Sequence, residues 1–159
     1  MTDSVDRILQ QWSKARPDLD CSAMGVVGRV GRVSMLWGKQ MDAVFEPQGL
    51  SRVEFDILAT LRRSQVPLTP TELYQTLMLS SGAMSTRIEV LVQRGLIERM
   101  ASEEDRRSCK VALTEQGVAV LDQALESHLA NMDQMLSCLD GDDKTQLAGL
   151  LKKILLSSE

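Results

Sequence analysis

The 159-residue sequence has no run of about 18 apolar residues, the length a helix needs to cross a bilayer, so nothing in it reads as a membrane span. Its opening stretch, MTDSVDRILQQW, carries acids at Asp3 and Asp6 and lacks the apolar centre of a secretory signal. Cysteine is scarce. Cys21, Cys109 and Cys138 are odd in number, far apart and without a CxxC pair. That pattern excludes a disulfide framework and a thiolate zinc site, and it fits a reducing compartment. The single histidine, His128, has no ligand-spaced neighbour, so neither metal binding nor histidine catalysis is expected. No phosphate loop and no G-x-S-x-G elbow occurs. The absences point to a cytoplasmic protein that is not an enzyme and needs neither cofactor nor metal.

What is present begins with length and charge. The chain suits one compact domain with appended helices and is long enough to bury a core. Its net charge of −4 disfavours a nucleic-acid partner at first sight. The charge is uneven, however. Residues 115–159 hold three basic against eight acidic groups, whereas residues 80–114 hold six basic against five acidic. An acidic end is compatible with DNA binding if it faces away from the duplex.

Apolar spacing then organises the chain. Val5, Ile8, Leu9 and Trp12 fall at helical intervals, and Pro17 ends that short helix. A longer stripe runs through Val26, Val30, Val33, Trp37, Met41 and Val44 and stops before Pro47. Gly25, Gly28 and Gly31 each disfavour a helix by about 1 kcal/mol against alanine, so its regular part is expected from Val30. Ser51 with Glu54 forms a capping box ahead of Val53, Ile57, Leu58 and Leu61. Thr69, Pro70 and Glu72 make a second helix start, with Leu73 and Leu77 facing inward. A short turn follows, Ser80 or Ser81 caps the next helix, and Gly95 closes it.

Two short helices joined in this way form a helix-turn-helix. After it, "LIERM" and "CKVALT" alternate apolar and polar residues around the charged "ASEEDRRS", a hairpin with a long tip. Two striped helices follow, the second opened by Asp140 and Asp143. Stripes near both termini exceed what one helix-turn-helix can cover and suggest packing against a second copy.

The helix after the turn has two unlike faces. Taking Met84 as zero at about 100° per residue, Ile88 and Leu91 lie within roughly 40° of it. Gly82, Thr86, Glu89 and Gln93 lie within roughly 40° of the opposite side. A helix entering the major groove needs one face bolted to a partner and the other slim, with short polar groups near its N-terminus. The first N–H groups, at Ser81 and Gly82, suit a phosphate. The hairpin tip presents Arg106 and Arg107 beside Asp105. An arginine there suits the narrow minor groove, and the acid can hold its guanidinium in place.

The order of these pieces resembles the MarR family of dimeric winged helix-turn-helix regulators. The Asp105-x-Arg107 wing followed by "LTEQG" carries the resemblance most strongly, and the match covers nearly the whole chain. The resemblance implies a mainly α fold with a small β-hairpin wing. Residues 1–50 would be N-terminal helices for dimerisation and an effector pocket, residues 51–114 the DNA-binding domain, and residues 115–159 C-terminal dimerisation helices. It also implies a homodimeric repressor on a palindromic double-stranded operator, with Ser81, Gly82, Ser85, Thr86, Glu89, Asp105, Arg106 and Arg107 at the DNA.

"QQWSKARPDLD" and "EFDILATLRR" further resemble the urate-responsive PecS-type subgroup. This implies an effector site at Trp12, Asp56, Arg87 and Arg99 for a small aromatic anion such as urate. An aromatic plate with a guanidinium suits a flat anion, and Asp56 is placed to hold Arg87 or Arg99 while no ligand is bound. Two other readings stand beside it. Cys21 lies near the start of the long helix, where peroxide-sensing members carry a reactive cysteine, although a buried inert thiol is the stronger reading. A winged helix can also serve only as a protein-interaction module.

Overall fold

Helices begin where a side chain can satisfy the first unpaired N–H groups. The computed structural model describes residues 1–77, 81–101 and 109–158. It resolves two compact units, Met1–Met41 and Asp42–Glu159. In the first, Asp3 caps α1 (Ser4–Ala15) by accepting from the N–H groups of Val5 and Asp6, both at 2.8 Å. Arg29 of α2 (Ser22–Phe45) donates to Asp3 at 2.8 Å and to Asp6 at 2.6 Å.

The helix α2 starts eight residues before Val30, where sequence reading placed its regular part. The glycines that argued against an earlier start lie inside it, and the space around two of them would still admit a Cβ in ordinary contact with α1. A Cβ at Gly28 would meet Val5 at 3.5 Å, and one at Gly25 would meet Arg29 at 3.3 Å and Leu9 at 3.5 Å. Contacts with α1, including the ion pairs of Arg29 with Asp3 and Asp6, offset their low propensity.

In the second unit the capping boxes form as the sequence predicts. Ser51 and Glu54 exchange hydrogen bonds at the start of α3 (Arg52–Ser64). Thr69 and Glu72 do the same at α4 (Pro70–Leu77), at 2.7 and 3.2 Å. The next helix, α5 (Ser81–Gln93), ends at Gly95 with φ +68°. The Leu96 N–H reaches the Leu91 carbonyl at 3.0 Å, and the Gly95 N–H reaches that of Val92 at 2.9 Å. This paired closure needs a left-handed residue, which glycine supplies without strain.

The turn delivers the chain into β1 (Ile97–Ala101), which pairs antiparallel with β2 (Cys109–Leu113), Ile97 opposite Leu113. Leu68 adds a one-residue bridge on the other side of β2, exchanging backbone hydrogen bonds with Val111 at 3.1 and 2.7 Å. Sequence reading missed it, because a one-residue bridge in the two-residue stretch between Pro67 and Pro70 carries no strand periodicity. Thr114 caps α6 (Glu115–Met135), and Asp140 caps α7 (Gly141–Leu156) through the Asp143 N–H at 2.8 Å. The core of this unit joins Ile57, Leu58 and Leu61 of α3 to Leu73 of α4 and Met84, Ile88 and Leu91 of α5. Ile97, Val111 and Leu121 complete it from the hairpin and α6.

Candidate nucleic-acid interface

The two faces of α5 separate as the helical wheel requires. Met84, Ile88 and Leu91 are no more than 2% exposed, while Gly82, Thr86, Glu89 and Gln93 all face solvent. A Cβ at Gly82 would meet nothing within 4 Å, so that end of the face is open. The Thr86 hydroxyl donates to the Gly82 carbonyl at 3.2 Å, which leaves its oxygen as an acceptor. Ser85 is exposed beside it. This helix is anchored on one side and slim on the other.

The residues expected at the wing tip, Asp105, Arg106 and Arg107, lie outside the described residues, as does the side chain of Ser81. The strands on either side of the tip are in place. Ile97 and Val111 are buried and pin the hairpin to the core, with Ile97 directly after the α5 closure.

The charged residues pair differently from the reading that gave Asp56 the task of holding Arg87 or Arg99. Glu54, only 5% exposed, takes Arg87 at 3.5 Å, and Glu89 takes Arg99 at 2.7 Å. The reason is helical geometry. Glu54 and Asp56 stand two residues apart on α3, roughly 200° around the axis, so they face different neighbours. Asp56 is half-buried, and burial pushes its carboxyl above the usual range against the pull of Arg63, Arg52 and His128. Burial in turn lowers His128, whose ring lies 5.2 Å from both Phe45 and Phe55.

Trp12 is exposed on α1, and Cys21 is a half-buried free thiol just before α2. Among the described residues no group of three His, Cys, Asp or Glu could hold a metal ion, and no helix is long and apolar enough to cross a membrane. A cavity of about 200 Å³ between Leu61, Arg62, Pro67 and Leu113 contains none of the predicted effector residues.

Sequence reading also missed a clasp. Arg94, at the end of α5, donates to the carbonyls of Gly49 at 2.8 Å and Gln48 at 3.0 Å. Those residues precede α3, so the clasp ties the exposed helix to the loop that enters the helix-turn-helix. No local pattern announces a contact between residues this distant in sequence.

Comparison with known proteins agrees with this geometry. Residues 48–108 match the family model for the MarR family. The transcriptional regulator PecS of Dickeya dadantii is 40% identical over 152 residues, covering 94% of this chain and 92% of its own. The multiple antibiotic resistance protein MarR of Escherichia coli is 29% identical over 116 residues, covering 72% and 80%. Among solved structures, AbsC of Streptomyces coelicolor superposes with TM-score 0.78 at 25% identity, over 89% of this chain and 98% of its own. A mutant MarR of Escherichia coli complexed with operator DNA superposes with TM-score 0.72 at 24% identity, over 91% and 97%.

Proposed function

From the premise that the chain belongs to the MarR family of DNA-binding transcriptional regulators, we propose that it is a homodimeric repressor of an inverted-repeat operator, released by a small aromatic anion such as urate. The observation that carries the family-level part is the PecS likeness across nearly the whole chain, coupled to an α5 face that is slim and solvent-exposed. A family of regulators leaves the interaction-only reading without support. Dimerisation draws support from apolar side chains exposed in the single chain, at Val26, Val27 and Leu36 of α2 and at Ile154, Leu155 and Leu156 of α7.

The effector site on this reading comprises Trp12, Asp56 and Arg87, with Arg99 as the fourth residue of the resemblance. Arg87 is the informative one. It stands on α5 yet pairs with a buried carboxylate of α3, so a ligand that competes for its guanidinium acts on the helix that meets DNA. A differential contact of this kind is what a switch requires. Nothing observed at Cys21 favours the redox alternative.

Urate should bind saturably and weaken operator affinity by roughly 5- to 150-fold, the usual range of coupling between two sites. Because linkage is reciprocal, operator DNA should weaken urate binding by the same factor. Trp12→Ala should lose the ligand and keep DNA binding. Quenching of tryptophan fluorescence reads this directly, with Trp37 as the remaining emitter. Equal saturable quenching in wild type and Trp12→Ala removes Trp12 from the site. No quenching and no release of DNA removes urate.

A further inference from the structure

Resting on the reading of the exposed α5 face as the DNA face, the geometry points to a specific base-reading device: Arg99 and Gln93 hold the Glu89 carboxylate as an acceptor for the exocyclic amino group of cytosine.

An acid on a helix that approaches phosphates is unfavourable unless it is neutralised and has a donor to meet. Both conditions are provided for. Arg99 donates to Glu89 Oε2 at 2.7 Å, and Gln93, one turn further along α5, donates to Oε1 at 3.3 Å. The Arg99 bond spans two elements. The Gly95 closure and the buried Ile97 fix where β1 leaves α5, and Arg99 shares a strand face with Ile97 by alternation. The bond to the exposed Glu89 places its guanidinium over the solvent side of the helix.

Each carboxylate oxygen carries two lone pairs, so one on each remains after Arg99 and Gln93 are served. What they can accept from is restricted. In the major groove guanine and thymine present acceptors to an incoming group, and adenine places its N7 acceptor beside its N6 amino group. Cytosine presents its N4 amino group with no acceptor beside it on the same base, which makes it the best match for a carboxylate. The pair is half exposed on both sides, so it contributes little to folding and is available to a ligand. Thr86, one turn earlier, leaves an acceptor oxygen on the same face.

The test measures fluorescence anisotropy of wild type, Glu89→Gln, Arg99→Ala and the double variant on duplexes carrying every base pair at each position of a bound site. Circular dichroism confirms that each variant is folded. Wild type should prefer C·G at one symmetric pair of positions, and Glu89→Gln should move that preference to A·T by about 5- to 150-fold, because an amide pairs with adenine N6 and N7. Arg99→Ala should weaken binding on the order of 10-fold by leaving an uncompensated acid near phosphate, and adding Glu89→Gln should restore most of it. An unchanged base profile in Glu89→Gln overturns the inference, as does wild-type affinity in Arg99→Ala. An Arg99→Ala defect that Glu89→Gln does not relieve reduces Arg99 to a phosphate contact and also overturns it. A wild type that binds no duplex overturns the DNA reading itself.

Discussion

Gly117→Ala should destabilise the protein by about 2 kcal/mol, where helix propensity alone predicts a gain of about 1 kcal/mol. A Cβ at Gly117 would run into the backbone carbonyl of Leu96 and come within 3.2 Å of Leu113 Cδ2. Backbone cannot swing aside as a side-chain tip can, so α6 would have to move. This is also the point where Thr114 ties the start of α6 to the end of α5. Its hydroxyl donates to the Gly95 carbonyl at 2.7 Å and accepts from the Gly117 N–H at 3.0 Å. Clash and propensity oppose each other, and the clash, about 3 kcal/mol for forcing atoms into a packed site, is the larger. For a chain of this size the melting temperature should fall by roughly 4 to 8 °C. Gly31→Ala is the control, because a Cβ there meets nothing within 4 Å. It should leave stability unchanged or raise it by up to about 1 kcal/mol. If Gly117→Ala melted at or above the wild-type temperature, the close approach of α6 to Leu96 would be wrong.

That glycine shows what sequence reading could and could not reach. "LTEQG" carried the family resemblance as a pattern, but the need for its glycine lies in the carbonyl of Leu96, which has no trace in the local sequence. Features set by neighbours within four residues were legible. The Ser51–Glu54 and Thr69–Glu72 boxes, the Asp140 cap, the Gly95 closure and the two faces of α5 all follow from short-range hydrogen bonding and periodicity. Features set by distant neighbours were not. The Arg94 clasp, the Leu68 bridge and the choice of Glu54 over Asp56 depend on which elements meet. The glycines of α2 misled for the same reason, since contacts with a helix distant in sequence, such as those of Arg29 with Asp3 and Asp6, outweigh local propensity.

The second large effect concerns salt. Affinity for duplex DNA should fall by about 10³- to 10⁵-fold between 50 and 200 mM salt, if two protomers together make roughly 6–10 phosphate contacts. The overall charge of −4 argues for the opposite, but attraction acts locally. At these salt concentrations charges more than about 10 Å from a phosphate are largely screened. Any of the eight acids of residues 115–159 that lie beyond that distance contribute little at the contact, while Arg87, Arg94, Arg99 and Lys110 stand on or next to α5 and the hairpin strands. Arg107→Ala should flatten the dependence of log affinity on log salt by about one unit and weaken every sequence alike. A slope near zero in the wild type would mean that phosphates are not engaged. An unchanged slope in Arg107→Ala would remove the wing from the interface.

The most direct measurement is selection of bound fragments from random duplex DNA, paired with light scattering of the free protein at micromolar concentration. A two-fold winged-helix reader predicts a dimer in solution and an enriched inverted repeat, its half-site centres about 10 base pairs apart. A monomer bound to a lone half-site, or no enriched sequence at all, would contradict it.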